Sequence, residues 1–103
     1  IHTGGRVGAL VELGCETDFV ARTPEFRDLA HNVAMQVAAM NPAYISEDDI
    51  AEDDSRPPAQ VTLLLQPFIK NTSVLVGEIV QELAAKVGEN VKVVRFRRLA
   101  LEE

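Results

Sequence analysis

Along residues 6–13 the apolar positions Val7, Ala9, Val11 and Leu13 alternate with Arg6, Gly8, Leu10 and Glu12. A period of two predicts a strand with one apolar and one mixed face, ended by Gly14. Beyond a short connector the period changes. Phe26, Leu29, Ala30, Val33, Ala34, Val37 and Ala38 recur at helical spacing and form one continuous stripe. Thr23 as cap, Pro24 at the first helical position and Glu25 in the first turn open that helix, and Asn41-Pro42 closes it. Residues 61–65 read as a short strand ended by Gln66-Pro67. Thr72 or Ser73 precedes a second amphipathic helix with Val76, Ile79, Val80, Leu83, Ala84 and Val87 in one stripe and Gly88 as its stop. Residues 91–101 read as a strand whose alternation slips at Val93-Val94, as a bulge or a strand covered on both faces would make it do.

The order is therefore β-α-loop-β-α-β. It predicts a single α+β domain: a small antiparallel sheet of about three strands with helices packed on one face. The other face is partly apolar, a feature that favours self-association. Residues 1–5 read as a loop in which Gly4-Gly5 permit a tight approach to the first strand. Residues 46–60 read as an acidic, proline-containing loop, with Ser46 capping a short turn over residues 47–50 and Arg56-Pro57-Pro58 near its end.

The 103 residues suit one modest core. A hydrophobic fraction of 47% against 25% charged places the chain among ordinary globular proteins rather than disordered ones. No apolar run approaches the length of a membrane span. The net charge of −6 comes from one place, because Glu47, Asp48, Asp49, Glu52, Asp53 and Asp54 supply six of the sixteen acids. The remaining acids balance the ten Lys and Arg, so the body has no global attraction for nucleic acid or anionic lipid. The single cysteine, Cys15, excludes an internal disulfide, fits a reducing compartment, and reads as a small buried hydrophobe at the strand's end.

Catalytic chemistry finds little support. His2 stands near a terminus and His31 within the first long helix, neither beside a nucleophile in sequence. Cys15 lacks a second cysteine at zinc spacing, and the acidic run lacks the glycine and alternating ligands of a calcium loop. No glycine pattern carries the lysine and hydroxyl of a phosphate loop. Lys92, Arg95, Arg97 and Arg98 around Phe96 pose the nucleic-acid question, since a basic strand with an aromatic can hold phosphates and stack a base. One aromatic in an acidic protein is thin support, and cations on an edge strand also prevent aggregation.

The remaining stretch is the connector Cys15-Glu16-Thr17-Asp18-Phe19-Val20-Ala21-Arg22. Thr17 or Asp18 is placed to cap a short turn. Phe19 gains roughly 1.5–3 kcal/mol from burial, so either it folds into the core or another molecule covers it. Glu16-Thr17-Asp18-Phe19-Val20-Ala21-Arg22, preceded by Gly4-Gly5-Arg6-Val7-Gly8, closely resembles the core domain of bacterial elongation factor Ts. So do Ala38-Ala39-Met40-Asn41-Pro42, Gln66-Pro67-Phe68-Ile69-Lys70 and Val87-Gly88-Glu89-Asn90-Val91 followed by Arg95-Phe96. Ordered motifs over most of the chain make this a specific resemblance.

The resemblance implies a cytoplasmic guanine-nucleotide exchange factor, not an enzyme of covalent chemistry, whose partner is elongation factor Tu. It implies no cofactor and no metal of its own. Asp18 and Phe19 would project toward the partner's magnesium and nucleotide site, and Thr17, Val20 and Arg22 complete the partner-binding set, Arg22 by pairing with partner acids and Val20-Ala21 by supporting the turn through packing. It also implies a helical insertion between Tyr44-Ile45 and Gln66-Pro67, which here is replaced by residues 46–60, and an amino-terminal helical module with no counterpart in residues 1–103. Some members with a single core pair as homodimers through their sheets; where one such group links subunits by cysteine, this chain has Arg97-Arg98-Leu99. Two further readings stand beside exchange: a dimerisation module without exchange activity, and a small RNA-binding domain using Lys92, Arg95, Arg97 and Arg98.

Overall fold

The computed structural model describes residues 6–101. The loop expected over residues 1–5 lies outside them. Strand β1 (Val7–Gly14) pairs antiparallel with β4 (Lys92–Ala100), from Val7 opposite Ala100 to Gly14 opposite Lys92. Glu12 faces Arg95 while the next residue, Leu13, faces Val93, which leaves Val94 without a partner across the ladder. That is the bulge the slip at Val93-Val94 predicts, and it lets Val93 and Phe96 both turn inward. Ala9, Val11 and Leu13 pack against the core from β1, as their alternation requires.

After the short helix α1 (Asp18–Ala21), helix α2 occupies Pro24–Met40 as the sequence predicts. The Thr23 hydroxyl accepts the Phe26 N–H at 3.2 Å, and Asn41 ends the helix in the left-handed region at φ 49°. Its stripe packs on the inner face of the β1–β4 pair and on helix α4, which follows later. Phe26, Leu29, Val33 and Val37 join Val76, Val80, Leu83, Val91 and Val93 in the core.

Residues 61–65 depart from the expected strand. They fold as the end of a short helix, α3 (Pro58–Val61), followed by a 3-10 turn at Leu63–Leu65. A short apolar run has no periodicity that separates strand from buried helix. Here Pro58 presets a helical φ, Val61 and Leu63 are buried, and of the expected strand only an isolated parallel bridge between Thr62 and Tyr44 forms. Extended structure comes later, as β2 (Pro67–Phe68) pairing antiparallel with β3 (Asn71–Leu75). The α+β class and the small antiparallel sheet stand, in the form of two separate two-stranded pairs.

Thr72 and Ser73 belong to β3, so neither caps the next helix. Helix α4 (Val76–Val87) starts from Leu75, whose N–H donates to the Glu78 carboxylate at 2.7 Å. It stops at Gly88, which takes φ 70°, as expected of a glycine there. Gly77 is glycine for a different reason: a Cβ on it would stand 2.9 Å from the Leu64 carbonyl oxygen.

Two buried amides knit these pieces together. The Gln36 amide donates to the Gln66 side-chain oxygen at 3.2 Å and to the Pro67 carbonyl at 3.0 Å, and it accepts the Ile69 N–H at 2.9 Å. Gln66 donates onward to the Gln60 carbonyl at 2.9 Å. The Gln66-Pro67-Phe68-Ile69 stretch is thus pinned to α2 by hydrogen bonds, not only by packing. The acidic loop is ordered by its own acids. Asp49 binds the backbone and hydroxyl of Ser46 at 3.0 and 3.2 Å. Asp54 accepts the Tyr44 hydroxyl at 2.8 Å and two Arg56 guanidinium nitrogens at 3.0 and 2.7 Å. These bonds, the Arg56 guanidinium first, hold the Asp54 carboxyl far below the usual carboxylate range.

Candidate functional site

The connector after β1 is built from both ends of the fold. Thr17 is the cap of α1: it is extended, and its hydroxyl accepts the Val20 N–H at 3.4 Å. One turn later Thr23 donates its hydroxyl to the Val20 carbonyl at 2.8 Å, so the end of α1 is also the start of α2. Val20 points into the core and anchors the turn. Its neighbour then has no choice of side. Phe19 stands 86% exposed, and Asp18 beside it is exposed too. Of the two fates open to Phe19, burial in the core is not the one taken among the described residues.

Glu89, just past the end of α4, holds the other side of the connector. Its Oε1 accepts the N–H groups of Glu16 and Thr17, each at 3.0 Å, and its Oε2 accepts the Thr17 hydroxyl at 2.6 Å. Glu16 answers by accepting the Asn90 N–H at 2.5 Å. Each loop's glutamate therefore binds the other loop's backbone. The Thr17 hydroxyl bond, followed by the two backbone donors, draws the Glu89 carboxyl below its ordinary range. Cys15 is half-buried, packs against the core, and donates its thiol to the Thr17 carbonyl at 3.2 Å.

Of the sequence-predicted site residues, Thr17, Asp18, Phe19 and Arg22 share this corner. Arg22 caps α1 with its backbone and is exposed. Val20 is the exception in kind: its side chain is interior, so it supports the surface rather than forming it. Sequence reasoning missed Glu16, Glu89 and Asn90 as partners of the turn. Glu89 is visible in the sequence only as part of a Gly-Glu-Asn motif, and nothing in that motif points 72 residues back to Thr17. The corner offers an aromatic ring beside a carboxylate on a stiff turn. Among the described residues no group of three His, Cys, Asp or Glu side chains is placed to hold a metal ion.

The basic residues of β4 are not brought together in the same way. Arg95 pairs with Glu12 at 2.7 Å on the outer face, while Arg98 turns inward and donates to the Ala38 carbonyl at 3.0 Å. Phe96 packs against the core.

A family model for elongation factor Ts matches residues 1–57, which include β1, the turn and α2. The chain belongs to the elongation factor Ts family. Similar relatives align along all of it: "Elongation factor Ts" of Synechococcus sp. (strain RCC307) at 42% identity and of Carboxydothermus hydrogenoformans at 38%. A third, "Elongation factor Ts, chloroplastic" of Guillardia theta, is 39% identical. The chain spans 62%, 61% and 61% of the lengths of these elongation factor Ts proteins. The Synechococcus alignment runs over 134 positions, more than the 103 residues present here, so that elongation factor Ts carries segments with no counterpart in this chain. Among the described residues no helix is long and apolar enough to cross a membrane.

Proposed function

We propose that this chain is the core of a guanine-nucleotide exchange factor that docks on the translational GTPase elongation factor Tu through the Asp18-Phe19 turn. The observation that carries the reading is Phe19, a large aromatic left 86% exposed on a turn that is otherwise capped, anchored and hydrogen-bonded. A stiff exposed aromatic is the usual form of an interface anchor, because docking it costs little conformational entropy. Phe19 wedges between side chains of the partner, and Asp18 disturbs the groups that hold magnesium there. Magnesium neutralises the diphosphate, so its loss releases GDP. The factor favours release because it binds the nucleotide-poor partner more tightly than the GDP-bound one. No covalent bond changes, and the factor works where that GTPase works. Residues 46–60, tied down by Asp49 and Asp54, stand in place of a longer helical insertion.

The test is stopped-flow release of a fluorescent GDP analogue from elongation factor Tu. The chain accelerates release, and that acceleration falls in Asp18→Ala and Phe19→Ala variants that stay folded. A folded chain that neither accelerates release nor binds nucleotide-free elongation factor Tu would overturn the reading.

One observation favours a second role beside it. The outer face of the β1–β4 pair exposes Leu10 at 76% and Leu99 at 79%, with Val94 of β4 and Leu101 just past its end also exposed. Such a face suits sheet-on-sheet pairing of two copies.

A further inference from the structure

We propose that Glu89 is the positioning residue of the Asp18-Phe19 turn, setting the wedge in its docking orientation before any partner arrives; this rests on the exchange reading of that turn. Helix α1 has only four residues, too few to sustain a helix without outside support. Val20 and Thr23 fix its carboxyl-terminal side. Its amino-terminal side depends on Glu89.

The chemistry of that side chain is matched to the task. Gly88 reverses the chain at the end of α4, and Lys92 is already paired with Gly14, so residues 89–90 must pass beside the end of β1. There Glu89 meets three donors and supplies two oxygens, one for both N–H groups and one for the hydroxyl. Because the Thr17 proton goes to Glu89, a hydroxyl lone pair is left for the Val20 N–H. Orientation therefore passes from Glu89 through Thr17 into the first turn of α1. Charge-assisted bonds of this kind are about twice as strong as neutral ones. A glutamine has the same shape but one oxygen, and its amide would present a donor to the hydroxyl. An aspartate is one methylene short.

The experiment compares Glu89→Gln, Phe19→Ala and the double variant in the GDP-release assay, with thermal unfolding of each. Glu89→Gln is expected to slow release roughly tenfold, the size of coupling usual between residues of one network. In the Phe19→Ala background the same change is expected to cost no more than about twofold, since the wedge it orients is gone. Thr17→Val is expected to match Glu89→Gln. Equal losses in both backgrounds would overturn the proposal, because a general weakening of the fold is indifferent to Phe19. An unchanged rate in Glu89→Gln would overturn it as well. Amide hydrogen exchange separates this claim from the partner reading. Should the unaltered chain leave GDP release untouched, exchange at Thr17 to Phe19 that is faster in Glu89→Gln by tenfold or more, with the α2 amides unchanged, would still establish the positioning. Unchanged protection there would sink it.

Discussion

The Glu89 carboxylate accepts the Thr17 hydroxyl at 2.6 Å and so joins two points 72 residues apart. The bond closes the angle between the end of β1 and the start of β4, and it is the base on which the Phe19 turn stands. These contacts favour the ionised carboxylate, which makes the turn sensitive to acid.

That sensitivity has a definite sign. Glu89 has its folded value drawn down by the Thr17 hydroxyl and the Glu16 and Thr17 N–H groups. Its contribution is therefore complete above the ordinary glutamate value of about 4.3 and disappears as pH falls below it, through the depressed value. NMR titration of the Glu89 carboxyl carbon should place its midpoint below that of free glutamate, with loss of Thr17 amide protection in the same window. A midpoint at or above the ordinary value would contradict the clamp.

Neighbouring residues on α1 should part company. Phe19→Ala is expected to leave stability within about 0.5 kcal/mol of the parent, because an exposed ring contributes little to the core. Val20→Ala is expected to cost about 2 kcal/mol, since its side chain belongs to the core cluster. Urea unfolding of the two variants, read beside GDP release, tests both. The proposed wedge fails if Phe19→Ala is silent in release.

Gln36 looks like a polar intruder on an apolar stripe. Gln36→Leu is expected to lower stability by about 2–4 kcal/mol, because the Ile69 N–H, the Pro67 carbonyl and the Gln66 amide lose a buried partner together. Denaturant titration should show a lower midpoint with an unchanged slope. A stabilised variant would mean that the amide network carries no net weight.

Gly77 offers a test of packing against propensity. Alanine is the better helix former by at most about 1 kcal/mol. The Leu64 carbonyl lies where the new methyl must go, and overpacking against backbone costs about 1–3 kcal/mol. Gly77→Ala is expected to be destabilising overall, by about 1 kcal/mol. A rise in Tm would show that α4 and the Leu63–Leu65 turn yield more easily than their contact implies.

The outer sheet face makes a prediction about assembly. If two copies pair through it, Leu10→Lys with Leu99→Lys lowers the molar mass measured by light scattering and leaves the circular dichroism spectrum unchanged. An equal mass for the parent and the double variant would remove the dimer reading.

The sequence by itself determined what local chemistry decides. Thr23, Pro24 and Asn41 bound α2 as their side chains and backbone preferences demand, and Gly88 ends α4 for the same reason. The slip at Val93-Val94 announced a bulge because strand alternation admits no other local remedy than a bulge or a second covered face. The Asp18-Phe19 motif, with its neighbours, marked the family. Tertiary structure decided everything that depended on which distant surface arrived. Residues 61–65 are apolar enough for strand or helix, and the packing of α4 against them, with the backbone bonds of Leu63 and Leu64 to the Tyr44 and Ile45 carbonyls, selects the turn. Phe19 is exposed because Val20, with Ala21 beside it, takes the core-facing side of α1, a choice between two large apolar neighbours that no sequence pattern makes. Glu89 reaches Thr17 because the β1–β4 register brings two loops to one edge. Hydrogen bonds between residues so far apart leave no periodic trace in the chain, which is why the residue that supports the site was legible only in the fold.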